Sequence, residues 1–144
     1  MPQIGNIVIN DGSATPVAYT FSPIGKDDKN VFWFEQTIPA PVNGLGACRI
    51  GYSQTRVLDA QKQLTGNSKV VYTLNVPTLE TMSNNSAGIT PPPTLAYVEK
   101  ARLEYSLAER SLAAERKNTR VFCLNFLGTA MAISNLDSLQ PSYS

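Results

Sequence analysis

The chain has 144 residues, of which 12 are basic and 11 acidic, a formal net charge of +1, with 16% charged and 42% hydrophobic residues. It contains no histidine, which removes the commonest general base, the Ser-His and Cys-His nucleophile arrangements and most zinc-ligand sets. So small a net charge exerts no global pull on nucleic acid, and any RNA affinity has to come from a local patch.

The length sets one domain, residues 1–144. The low charged fraction leaves much surface uncharged, as expected of a chain that buries itself against copies of itself, or of a secreted β domain. Cys48 and Cys123 lie far apart in apolar runs and read as reduced core thiols rather than a disulfide. No spacing suits a metal or a cofactor, and none is expected. Met1-Pro2-Gln3 leads straight into strand pattern, so no signal peptide is expected. No apolar run is long enough to span a bilayer, so a cytoplasmic product without membrane partners is expected.

In chain order, residues 1–23 read as an N-terminal β-hairpin. Ile7 and Ile9 alternate with Asn6 and Asn10, Asp11-Gly12 supplies a tight turn, and Val17, Tyr19 and Phe21 alternate on the return. Gly25 to Asn30 is a polar turn, and Val31 to Phe34 a third, aromatic strand. A Pro- and Gly-rich loop precedes a fourth strand, Ala47 to Thr55, which is expected to bend into a fifth. There Cys48, Ile50 and Tyr52 share one face, and Arg49, Gly51 and Ser53 the other. Asp59 to Ser68 reads as a loop.

Lys69 to Val76 is the clearest strand, with Val70, Tyr72, Leu74 and Val76 on one side and Lys69, Val71, Thr73 and Asn75 on the other. A long loop without structure of its own follows, roughly 80–94, its return stiffened by Pro91 to Pro93. Leu95 to Leu107 alternates again. Tyr97, Ala101, Leu103, Tyr105 and Leu107 form a face to be buried, and Lys100, Arg102 and Glu104 a wet one.

The period then changes. Glu109 to Leu127 reads as a helix with candidate caps at Ser106 (paired with Glu109) and Ser111, and with an apolar stripe through Leu112, Thr119, Phe122, Cys123 and Phe126. Ala130 to Leu139 reads as a second helix, so the two helices span 109–139. The fold class is α+β: an N-terminal hairpin, an antiparallel five-stranded meander over 29–107 and two C-terminal helices. Two short helices cover less apolar area than such a sheet presents, so self-association follows on physical grounds.

The charged sheet face has two readings. It is a solvated surface, or it is a nucleic-acid site in which cations meet phosphates and Thr, Asn and Ser meet unpaired bases. The helix charges read as a solvent-facing side. Trp33, Phe32 and Phe34 read as core or dimer-contact aromatics. The whole chain is then a self-associating subunit or a non-assembling β-sheet ligand-binding module. Enzymatic activity is not expected: Glu99 and Glu104 have opposite strand parity and face opposite sides.

The hairpin wording NIVIND to TFSP, the aromatic strand with Trp33, the run VVYTLNVPTLE and the segment AYVEKARLEYSLAERSLAAERK resemble, in this order, the coat proteins of single-stranded RNA bacteriophages, the levivirus coat family. The likeness spans nearly the whole chain. It implies an interlocked homodimer with one continuous sheet, each subunit's helices lying across the partner. It implies assembly of these dimers in the bacterial cytoplasm into an icosahedral (T=3) virion capsid that also meets the phage maturation protein. The long loop, with Asn84, Asn85, Ser86, Gly88, Pro91 and Pro92, would make the symmetry contacts. The inner sheet face would bind a stem-loop of viral RNA, repressing translation and marking the RNA for packaging. By parity the residues there are Arg49, Ser53, Lys69, Val71, Thr73, Asn75, Lys100, Arg102 and Glu104.

Overall fold

The computed structural model describes residues 4–61 and 66–143. The described residues hold eight elements: β1 Ile7–Asn10, β2 Ala18–Lys26, β3 Phe32–Ile38, β4 Arg49–Thr55, β5 Asn67–Glu80, β6 Thr94–Ala108, α1 Ala113–Leu127 and α2 Ala130–Asp137. The strands form one six-stranded sheet in the order β1-β2-β3-β4-β5-β6. The N-terminal hairpin is therefore part of the meander, and the sheet has six strands where five were expected. Contacts group the chain into two compact units, one of residues up to Thr55 with Lys69–Ser106, the other of Arg56–Ser68 with Leu107–Ser144.

In the first unit, side-chain carboxylates organise both early turns. The β1–β2 connection is a loop from Asp11 to Val17 rather than a two-residue turn. The Asp11 carboxylate accepts from the Ser13 N–H at 3.2 Å, the Ser13 hydroxyl at 2.7 Å and the Val17 N–H at 2.9 Å. The Val17 and Ser13 bonds hold that carboxyl below the usual range. At the β2–β3 turn Asp27 accepts from the N–H groups of Lys29 and Val31, each at 2.9 Å. Asn30 there takes φ 60°, a left-handed value that asparagine tolerates.

β3 runs to Ile38, beyond the expected Phe34, because Gln36 gives the strand's end its bonds. Buried Gln36 donates from its side chain to the Pro39 carbonyl at 2.7 Å and accepts from the Cys48 N–H at 3.2 Å. β4 ends at Thr55 without bending into another strand. β5 begins at Asn67 and so takes in the last residues expected to be loop; Lys62–Thr65 of that loop lie outside the described residues. β5 also continues through Pro77 to Glu80. Its pairing with β4 stops at Asn75, so the missing proline N–H costs no bond on that side.

Register divides the sheet into two faces, because residues directly opposite across antiparallel strands share a side. Ile7 faces Phe21, Ile9 faces Tyr19, Phe34 faces Ile50, and Leu74 and Tyr72 face Ile50 and Tyr52. This is the apolar face. Phe21 and Phe34 are its buried hydrophobic residues. The Tyr52 and Tyr72 rings stack on it with centroids 5.6 Å apart. On β6 the expected buried face is exposed in the single chain, Tyr97 by 58% and Leu103 by 39%.

In the second unit α1 begins at Ala113, four residues later than Glu109. The expected Ser106–Glu109 cap does not form, since Ser106 lies in β6 and the Glu109 carboxylate accepts from the Ser68 hydroxyl. Ser111 turns its hydroxyl back to the Ala108 carbonyl at 2.7 Å instead of capping. Leu112 is the N-cap position. Its N–H is taken by the Glu115 carboxylate at 2.8 Å, the half of a capping box that does not need a polar cap side chain. Gly128 follows the helix as expected. Thr129 caps α2 by accepting from the Ala132 N–H at 3.3 Å, and α2 stops at Asp137, before the expected Leu139. α1 buries none of its residues: Phe122 is 72% exposed, and Leu124 and Phe126 are exposed beside it.

Candidate nucleic-acid interface and assembly surfaces

The second sheet face carries the polar residues. Arg49 stands opposite Asn75, Gly51 opposite Thr73, Ser53 opposite Val71 and Thr55 opposite Lys69. Trp33 and Glu35 join this face through their partners Gly51 and Arg49. Both escaped the sequence reading, although Trp33 shares its parity with Glu35 and not with Phe34, which was the available signal. Glu35 holds the Arg49 guanidinium at 2.8 Å.

Two clusters result. Glu104 bridges Lys69 at 2.7 Å and Arg102 at 3.2 Å, and the Lys69 ammonium, seconded by Arg102, holds its carboxyl below the usual range. Arg49, Asn75 and Lys100 line a pocket of about 290 Å³ together with the apolar residues Ala47, Pro77, Leu95 and Val98 and the turn at Gly44 and Leu45. The Asn75 Oδ1 atom is buried without a hydrogen-bond partner. A buried acceptor without a partner among the described residues is costly to the isolated chain. Ser53, Val71 and Thr73 lie in adjacent rungs across β4 and β5, between the two clusters. The nine residues selected by parity therefore share a face, six of them gathered in the two clusters.

The long loop has local structure where none was expected. The Asn85 N–H bonds the Ile89 carbonyl at 3.1 Å, and the Gly88 N–H the Asn85 carbonyl at 2.9 Å. The Asn85 side chain accepts from the Ala87 and Ile89 N–H groups, each at 3.0 Å. Gly88 sits at φ 75°, where a side chain would be strained. Thr90 donates to the Asn84 side chain and closes the tip. Asn84, Asn85, Ser86 and Gly88 thus form one small turn, and Pro91 and Pro92 lie on the returning leg.

On the apolar face a pocket of about 250 Å³ is lined by Ile9, Tyr19, Phe21, Cys48, Leu74 and Val76. Burial pushes the Cys48 thiol up, away from reactive thiolate. Among the described residues no group of acidic, Cys or His side chains could hold a metal, and no helix is long and apolar enough to cross a membrane.

A six-stranded antiparallel meander with one charged face, an apolar face in want of cover and bare C-terminal helices defines a subunit of a larger assembly. The chain belongs to the levivirus coat protein family, whose model, described as levivirus coat protein, matches residues 2–143. It is similar to the subunit in a virus-like particle of bacteriophage ESE058, with 36% identity, a TM-score of 0.83 and coverage of 99% of this chain and 100% of that one. It shares its fold with the virus-like particle subunit of Beihai levi-like virus 21, at 24% identity, TM-score 0.79 and coverage of 99% and 100%. It also shares its fold with the capsid protein of bacteriophage GA, at 17% identity, TM-score 0.70 and coverage of 98% of each chain. No curated protein matches it in sequence. The protein is a structural component of a phage capsid, which sets aside the non-assembling ligand-binding module.

Proposed function

We propose that two copies of this chain join edge to edge through β6 into one continuous sheet, that such dimers build an icosahedral shell, and that the charged sheet face binds a stem-loop of viral RNA. Several observations support the dimer. β6 ends the sheet and is 15 residues long, and so long an exposed edge invites pairing. The bare apolar residues of α1, α2 and β6 are the surface such an interface buries.

RNA binding rests on one observation above the others: Arg49, Lys69, Lys100 and Arg102 share one sheet face with Ser53, Thr73 and Asn75. Lys100 has no partner among the described residues and is free to meet a phosphate. Thr73, Ser53 and Val71 offer hydroxyl and apolar contacts to unpaired bases. Glu104 orients Lys69 and Arg102. Binding at this face represses translation and selects the genome for packaging. The shell forms in the bacterial cytoplasm, takes in the maturation protein and becomes the virion. The long loop makes the symmetry contacts.

Expression of the gene alone in bacteria tests this reading by electron microscopy and nucleic-acid extraction. Uniform particles containing RNA are expected. Empty particles that also fail to bind stem-loop RNA would remove the RNA role, and the absence of particles would remove assembly.

A further inference from the structure

The turn from Asn43 to Gly46 touches the chain at both ends of the long loop. The Asn43 side-chain amide donates to the Pro93 carbonyl on the returning leg at 3.3 Å. Its Oδ1 accepts from the Leu45 N–H at 3.1 Å and the Gly46 N–H at 3.0 Å, which fixes the turn itself. At the end of β5, just before the outgoing leg, Leu79 packs so close to Gly46 that a Cβ there would meet Leu79 Cδ1 at 2.7 Å. One side chain therefore ties down the turn that grips Leu79 and reaches across to hold Pro93.

We infer that Asn43 is a positioning residue that sets how the long loop leaves the sheet, and hence which lattice contacts the loop can make. The inference rests on the reading of that loop as the contact loop. The tip is already closed between Asn84 and Thr90, and three prolines stiffen the returning leg. With the base clamped as well, the loop's remaining freedom falls on Thr81, Met82 and Ser83, all exposed. The clamp at Asn43 converts a long loop into a rigid tip on a short hinge.

Asn43→Asp separates this role from turn formation. The aspartate keeps an oxygen to accept from Leu45 and Gly46 but loses the donor to Pro93 and sets a charge against its carbonyl. Losing that one bond is expected to shift the loop's conformational equilibrium by about tenfold per subunit. The yield of uniform particles in electron micrographs falls by at least that factor. The disassembled subunit still unfolds within about 4 °C of the parent. The control is a chain shortened over Met82 to Pro92. If the shortened chain loses uniform particles and Asn43→Asp keeps them at parental yield, the clamp is wrong. If the shortened chain also keeps them, the contact-loop reading fails instead. A large fall in the Asn43→Asp unfolding temperature would make Asn43 a residue of the fold and overturn its positioning role.

Discussion

Trp33 lies over Gly51: a Cβ placed on Gly51 would sit 3.0 Å from the indole Cζ3 and 3.1 Å from Cη2. The ring is tethered, because Asp27 accepts its Nε1–H at 2.9 Å, and the same Cβ would also meet Val31 Cγ1 at 3.1 Å. Gly51→Ala is therefore expected to overpack the sheet and cost about 1–3 kcal/mol in chemical denaturation. A variant as stable as the parent would show that the indole moves freely.

The same tether gives an acid dependence. The Trp33 bond, followed by those of Val31 and Lys29, keeps the Asp27 carboxyl below its ordinary value of 3.8. A depressed folded value means the unfolded chain binds the proton first. The stabilisation is then whole above the unfolded value and is lost as pH falls through the folded one. Trp33 is the chain's one tryptophan, so its fluorescence reports the event. The expected midpoint lies below 3.8 and disappears in Asp27→Asn. A midpoint above that value would contradict the tether.

Glu104 neutralises two cations on the charged face, Lys69 and Arg102. Glu104→Gln releases both toward phosphate, so RNA binding is expected to tighten and its salt dependence to steepen. Lys100→Ala is expected to lower the slope of log affinity against log salt by about 1. Filter binding across a salt series measures both. Unchanged slopes in both variants would take this face out of RNA contact.

Phe122 and Phe126 project from a helix that buries none of its residues. Replacing both with serine removes apolar area that only a partner can bury. The dissociation constant of the assembled subunits is expected to rise by about a hundredfold or more, read by sedimentation. An unchanged constant would place the interface elsewhere.

Much of this architecture is legible in the sequence, and the gaps have physical causes. Alternation in β4, β5 and β6 assigns Arg49, Asn75, Lys100 and their neighbours to one face, because strand parity is local information. The same parity was available for Trp33, but aromatic bulk argued for the core. The helix start was missed because Ser106 and Glu109 have capping spacing, while the Glu109 carboxylate is taken by Ser68, a partner remote in sequence. The turn inside the long loop depends on Asn85 bonding its own backbone and on the φ of Gly88, which composition alone does not reveal. The clamp from Asn43 to Pro93 joins residues far apart in the chain and leaves no periodic trace.

Sedimentation of the dissociated capsid subunit, taken to the lowest protein concentration that can be read, tests the central claim most directly. The expected species is a pair of chains, twice the 15.6 kDa of one, persisting on dilution because neither copy can roof its own apolar surface. A compact solitary chain of 15.6 kDa, folded and stable at micromolar concentration, would contradict it.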